Sequence, residues 1–204
     1  MNTIKKILIM CSIALTILLY GCGGNGALNG LGVNYNLPAS ELAKSFYTSY
    51  IKKYEANASE EEMLKIKEAY MTETMIEELD LRSLEMEADA ILGVQDGTGF
   101  LDKMEIEPGD DDESAVARFV VPVEGDEIAK NTYVFHIHFR NVDNKKLIDT
   151  YDFLWIETDS DGDDSRIEYK TQYANKETLT EEDLTKMSNQ RKYYDELFED
   201  GYIG

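Results

Sequence analysis

The chain has 204 residues, of which 43% are hydrophobic and 30% charged, and its 41 acidic side chains against 20 basic ones give a formal net charge of −21. A field of that sign disfavours nucleic acid and anionic lipid surfaces as partners, because both would be repelled. It favours cations or a basic protein partner, or it serves solubility alone.

The amino-terminal segment has the layout of a secretory signal. Lys5 and Lys6 precede an almost unbroken apolar run over residues 7–20. A helix that spans a bilayer needs roughly 18–20 residues, so this run is too short to remain as a transmembrane anchor. We therefore expect residues 1–21 to direct export and then to be cleaved off.

The segment Leu19-Tyr20-Gly21-Cys22 resembles the lipobox that the lipoprotein signal peptidase recognises. The resemblance implies lipidation of Cys22, which would attach the protein to a membrane of the cell envelope. Gly23, where Asp would indicate inner-membrane retention, favours the outer membrane facing the periplasm. The alternative is an ordinary signal peptide followed by a chance cysteine.

Cysteine and charge counts agree with that prediction. Cys11 would leave with the signal peptide, so the mature chain could form no internal disulfide, and acylation explains its one remaining cysteine. Cleavage would also remove two lysines, which changes the formal charge from −21 to −23.

The uncharged, glycine-rich residues 22–36 are interpreted as a tether. Residues 37–204 are long enough for one domain.

The first half of this domain has helical periodicity. Pro38 and Ser40 precede a stripe of apolar residues spaced by three and four. Ser59 with Glu62, and Thr74 with Glu77, are capping boxes that predict two further helices, with helical character extending to about Leu92. The first stripe comprises Leu42, Phe46, Tyr47, Tyr50, Ile51 and Tyr54.

From Phe100 onward the pattern changes to short alternating runs separated by polar turns, which is typical of an antiparallel meander. Pro122 lacks an amide donor, so its strand should end there or lie at an edge. Turns are predicted at Glu107–Asp110 and at Asp143-Asn144. The candidate strands are Phe100–Ile106, Ser114–Val123, Asn131–Val142, Asp149–Glu157 and Ser165–Tyr173.

A last helix is predicted after Thr178, which forms a capping box with Glu181. Its apolar side carries Leu184, Met187, Tyr194, Leu197 and Phe198. Helices first and strands afterwards define an α+β domain, with the amino-terminal helices packed on one face of a curved antiparallel sheet and a carboxy-terminal helix added.

Three stretches carry a resemblance to a known family: residues 41–51 with their Phe-Tyr-x-x-Tyr helix, residues 88–96 with Ala-Asp-Ala-Ile-Leu and then Gln-Asp, and the late strand that contains Trp155. They resemble a family of small exported bacterial lipoproteins of unknown function, over residues 40–157. The resemblance implies a nuclear transport factor 2-like fold, in which a bent sheet wraps around helices as a cone. It implies no catalytic residues.

The most specific candidate for ligand binding is the acidic segment 157–168. Glu157, Asp159, Asp161 and Glu168 occupy positions 1, 3, 5 and 12 of a 12-residue calcium loop, with Gly162 at position 6. The alternative is a solvated hairpin turn at Asp161-Gly162, which the strand-like flanks favour.

His136 and His138 lie two residues apart and are therefore predicted on one face of a strand, where paired histidines can bind zinc. No third ligand is identifiable, so a polar sheet face is the alternative. A small enzyme with a pocket of histidine and carboxylate groups would use the same residues.

The thirteen tyrosines and the acidic surface would suit a basic or carbohydrate partner, although many of the tyrosines fall on predicted core stripes. The mature chain contains no phosphate-binding glycine loop, no Gly-x-Ser-x-Gly elbow and no free cysteine nucleophile, and we nominate no catalytic residue or cofactor. The sequence thus predicts a non-enzymatic envelope lipoprotein that binds a ligand or protein. A more specific hypothesis is an immunity or inhibitor protein that captures a basic periplasmic partner. The oligomeric state stays open.

Overall fold

A computed structural model describes residues 32–86, 88–93, 103–174, 176 and 180–199. By its contacts the chain divides into two units, Met1–Asn34 and Tyr35–Gly204, and the description below concerns the second. Cys22 and most of the predicted tether lie outside the described residues. The elements are helices α1 (Ala39–Glu55), α2 (Glu60–Tyr70), α3 (Glu73–Met86) and α4 (Glu181–Glu199), and strands β1 (Glu105–Pro108), β2 (Ser114–Pro122), β3 (Lys130–Val142), β4 (Lys145–Thr158) and β5 (Asp164–Tyr169).

The helices form where the apolar spacing predicts them. In α1, Leu42, Phe46, Tyr47 and Tyr50 are buried, and Ile51 and Tyr54 are half-buried. The side chain of Ser59 accepts a hydrogen bond from the amide of Glu62, which confirms the predicted cap of α2. None of the described helices is long and apolar enough to cross a bilayer.

The cap of α3 was predicted two residues too late. Thr72, not Thr74, caps the helix, because its hydroxyl accepts from the amide of Met75 and its carbonyl from the amide of Ile76. The helix also ends at Met86, six residues before the predicted limit at Leu92, and residues 88–93 form turns.

The five strands form one antiparallel sheet in the order β1-β2-β3-β4-β5, as a meander requires. β2 ends at Pro122, as predicted for a residue that cannot donate to the ladder. Asp143 and Asn144 join β3 to β4 with positive φ angles of 50° and 63°, which a two-residue hairpin turn of type I′ demands.

One face of the sheet, here called the inner face, packs against the helices. Its alternate residues are large and buried, and the aromatic rings stack across strands, with Phe135 and Phe153 4.9 Å apart between ring centroids. The opposite, outer face is mostly exposed or half-buried. The buried inner residues are Ala115, Ala117, Phe119, Phe135, Ile137, Phe139, Ile148, Tyr151 and Phe153.

A buried ion pair holds the segment after β5 against α3. Glu78 accepts from Arg82 and from the backbone amides of Gln172 (2.7 Å) and Tyr173 (2.9 Å). Arg82 donates in turn to the carbonyl of Tyr151. The carboxylate and guanidinium thus satisfy backbone groups that burial would otherwise leave without partners.

The predicted cone is wrong: the domain is α+β, but the sheet does not curl around the helices. Strong curvature needs repeated bulges or glycine kinks. The five strands contain no glycine, and the β3–β4 register shifts at a single point, between His138 and Phe139. The sheet therefore stays open, and β1 and β5 are its edges.

Helix α4 begins at Glu181, close to the predicted start, but its cap is different. Thr180 and Asp183 form a reciprocal box, in which each backbone amide donates to the other's side chain. Thr178 lies outside the described residues. Met187 of α4 packs with Leu81, Leu84 and Tyr173 in a small separate cluster.

Candidate functional site

A cleft of about 640 Å³ opens at one end of the sheet, and we call it the hairpin cleft. It lies where the β2–β3 and β4–β5 loops come together. Alternate hairpins of a meander point the same way, which is why these two loops meet although they are far apart in sequence. The cleft is lined by Val120, Pro122, Asp126, Glu127, Ile128, Ala129, Lys130, Thr132, Ile156, Thr158, Gly162 and Asp164.

Asp126 builds the β2–β3 side of the cleft. One carboxylate oxygen accepts from the amides of Ala129 (2.9 Å) and Ile128 (2.8 Å), and the other accepts from the hydroxyl of Ser160 (2.6 Å). The hydrogen bonds from Ala129, Ser160 and Ile128 lower the pKa of Asp126. The carboxylate therefore stays ionised while it ties the two loops together.

The β4–β5 side is a tight turn organised by Asp159. One of its carboxylate oxygens accepts from the amides of Asp161 and Asp163, both at 2.9 Å. Gly162 has a φ of +85°, a conformation that favours glycine. Thr158 donates to Asp164 at 2.8 Å, which fixes the first residue of β5.

The lining of the hairpin cleft combines apolar side chains, here called the floor, with acidic side chains, here called the rim. Val120 is 39% exposed and Ile128, in the β2–β3 loop, is 52% exposed. Ile156 is half-buried and follows Val120 and Thr132 across the sheet register. The acidic rim consists of Asp126, Glu127 and Asp164, and the lining contains one cationic side chain, Lys130. Such a surface complements a segment that carries both apolar and basic side chains.

The structure does not gather the predicted calcium ligands around one point. Glu157 pairs with Ser165 and belongs to the inner face, whereas Glu168 pairs with Leu154 and belongs to the outer face. Asp159 is occupied by two backbone amides, and Asp161 is exposed at the turn. The segment forms the hairpin turn that the sequence left as the alternative.

His136 and His138 do share the outer face, as predicted. They pair with Val116 and Ser114 on one side and with Asp152 and Thr150 on the other. The nearest carboxylate oxygen to His138 is that of Asp111, at 3.8 Å from Nε2. Within the described part of the chain, no three His, Cys, Asp or Glu side chains are arranged to hold a metal. Neither histidine lines the hairpin cleft.

Several tyrosines are core residues, and they form a hydrogen-bonded cluster with a half-buried acid, Asp89. Tyr47 and Tyr151 share a short hydrogen bond between their hydroxyls, and Tyr50 donates to Asp89 at 2.8 Å. Burial raises the pKa of both Tyr50 and Asp89. Asp89 also accepts from the amides of Ile91 and Leu92, so it organises the turn after α3.

Sequence reasoning missed the hairpin cleft. Asp126, Glu127 and Ile128 belong to none of the sequence motifs considered above. The available signal was topological: in a meander, the β2–β3 and β4–β5 loops share one end of the sheet. Both loops are acidic here, so a surface built from the two could have been proposed once the meander was predicted.

No family model and no curated protein matches the chain. One solved structure, a protein of unknown function from Bacteroides thetaiotaomicron VPI-5482, is similar at 21% identity with a TM-score of 0.44. The match covers 54% of this chain and 85% of that one. At this level the likeness supports no conclusion about function.

Proposed function

We propose that this protein is a lipid-anchored envelope protein that binds a basic, amphipathic segment of a partner protein in the hairpin cleft. The observation that carries the proposal is the combination of exposed Val120 and Ile128 on the floor with carboxylates around them. An apolar floor supplies affinity by burial, and the acidic rim supplies sign selectivity and fast association.

The hydrogen bonds that hold the two loops in place support this proposal. Asp126 and Asp159 are both held by backbone amides, and the Ser160–Asp126 hydrogen bond links the loops. The cleft therefore needs little ordering on binding, which lowers the entropic cost of association. The formal charge of the whole chain acts in the same direction by attracting basic partners at long range.

The first test uses labelled peptides and the unit of residues 35–204. One peptide alternates leucine with lysine, and its counterpart carries glutamate in place of lysine. Fluorescence anisotropy should show binding of the basic peptide alone, with affinity that falls steeply as salt rises. Equal binding of both peptides, or binding indifferent to salt, would contradict the proposal.

Substitutions then place the binding in the cleft. Glu127→Lys reverses a charge of the rim, and Asp161→Lys reverses one beside Gly162 at the edge of the lining. Together they should weaken binding of the basic peptide at least about tenfold. Glu55→Lys with Asp112→Lys makes the same change in net charge at exposed positions outside the lining and should have a much smaller effect. If the two pairs weaken binding equally, net charge and not the cleft is responsible.

The proposed anchor is tested separately. In bacteria that process lipoproteins, Cys22→Ser should abolish incorporation of a labelled fatty acid and release the protein from the membrane fraction. A chain that is labelled and sedimented as before would overturn lipidation at Cys22. Fractionation of the membranes would test the expected outer-membrane location facing the periplasm.

A further inference from the structure

Strand β5 is an exposed edge whose charges alternate in sign. Among the described residues, no strand pairs with its second side. On the outer face it presents Asp164, Arg166 and Glu168, followed by Lys170, each of which has at least 41% of its side chain exposed. On the inner face it presents Ile167, which is 45% exposed. Charged side chains protect an edge from indiscriminate pairing. Opposite charges that face each other across an antiparallel pair stabilise that pair.

The apolar row of the inner face runs up to this edge and stops there. The register aligns Phe119 with Tyr133, Tyr133 with Trp155 and Trp155 with Ile167, one residue from each of β2 to β5. Phe119 is 2% exposed and Ile167 is the last side chain of the row. A further strand beside β5 would extend the row and cover Ile167.

We propose that the strand beside β5 is β5 of a second copy of this chain, paired antiparallel about a two-fold axis at Ile167. Directly opposite residues of an antiparallel pair lie on the same face of the sheet. The axis must therefore place one residue of β5 opposite the same residue of the second copy. With Ile167 on the axis, Arg166 faces the second copy's Glu168, and Asp164 faces the second copy's Lys170.

The neighbouring registers are repulsive. An axis at Arg166 would place the two Arg166 side chains opposite each other and Asp164 opposite Glu168. An axis at Glu168 would oppose the two Glu168 side chains and place Arg166 opposite Lys170. Like charges directly opposite each other destabilise a strand pair. An axis at Ser165 would oppose only Asp164 and Arg166, and an axis at Tyr169 only Glu168 and Lys170, whereas the axis at Ile167 makes two kinds of opposite-charge pair. The charge order of β5 thus favours the Ile167 register, and the result is a continuous ten-stranded sheet with an isologous interface.

The test measures the mass of the full chain, extracted in detergent, by native mass spectrometry. The wild-type chain should give a dimer. Arg166→Glu places Glu opposite Glu168 at two equivalent points, and Glu168→Arg places Arg opposite Arg166. Each single variant should raise the dissociation constant of the dimer at least about tenfold.

Two matched controls separate register from loss of fold. The double exchange Arg166→Glu with Glu168→Arg restores opposite charges and should dimerise like the wild type. An equal mixture of the two single variants should form a heterodimer, because each chain then supplies the charge that the other lacks. A monomeric wild type, dimeric single variants, or a mixture that stays monomeric would each overturn the proposal.

Discussion

Asp89 is a half-buried carboxylate whose pKa is raised above its ordinary value of 3.8, chiefly because its surroundings desolvate it. The folded protein therefore takes up this proton at a higher pH than the unfolded chain does. The resulting contribution to stability is complete below pH 3.8 and is lost as the pH rises through the folded-state pKa.

We predict that Asp89→Asn removes this pH dependence and keeps the fold. The amide oxygen of Asn can still accept from the amides of Ile91 and Leu92. As the pH falls from 7 towards 4, the free energy of unfolding of the wild type should rise relative to the variant, by up to about 1.4 kcal/mol per pH unit. Urea unfolding across this range measures the difference in unfolding free energy between the wild type and the variant. The contributions of the other carboxylates are common to both proteins and cancel in that difference. Parallel curves would contradict the prediction.

Glu78 gives a second prediction at this scale. Glu78→Ala leaves Arg82 buried without its ionic partner and leaves the amides of Gln172 and Tyr173 without their acceptors. We expect a loss of about 3–5 kcal/mol in the free energy of unfolding. Glu61→Ala breaks an ion pair of the same spacing, but on the surface, and should change stability little. Similar losses in the two variants would show that the buried network is not the cause.

The β3–β4 hairpin depends on its turn. Asn144 has a φ of 63°, where glycine has no steric cost and a β-branched residue has a large one. Asn144→Gly should match or exceed the wild-type stability, and Asn144→Val should lose about 1–2 kcal/mol. The control is Asn141→Val, on an exposed strand position where β-branched residues are favoured. Thermal unfolding of the three variants tests this, and equal losses at both positions would contradict it.

Local chemistry explains which elements were predictable. The alternation in β2 and β3, the Ser59 cap and the Asp143-Asn144 turn are signals within a few residues, and the structure confirms them. β4 begins four residues earlier than predicted, at Lys145, and β5 ends four residues earlier, at Tyr169. The caps of α3 and α4 were misplaced because neighbouring threonines offer competing boxes. Thr72 contacts Asp149 of β4, a distant residue that no local pattern shows. Curvature was mispredicted because it depends on bulges, whose number only the paired strands reveal.

At the scale of the whole molecule, the excess of acidic side chains repels itself. Screening should therefore stabilise the fold. We predict that the free energy of unfolding rises as sodium chloride is raised from low to physiological concentration, with most of the change at the low end. Urea unfolding at a series of salt concentrations measures it. A fall with salt would show that attractive pairs such as Lys67–Asp80 outweigh the repulsion.

The hairpin cleft and the β5 edge also belong to this scale. Ser160 and Asp126 are 34 residues apart, and only the sheet topology brings them into contact. The charges of β5 are visible in the sequence. They indicate a pairing surface only once β5 is known to be an edge strand and Ile167 is known to face inward. The sequence therefore predicted that an acidic surface binds a basic partner, but it did not show which residues form that surface.

Trp155 is the one tryptophan of the chain, and its indole donates to Asn131 at 2.9 Å beside the nearly parallel ring of Tyr133. It lies next to Ile167 in the row that ends at the sheet edge. The unlabelled protein thus carries its own fluorescent probe at this edge. A second strand beside β5 would exclude water from the indole and shift its emission to shorter wavelength, so dissociation of the dimer on dilution could be followed by tryptophan fluorescence alone.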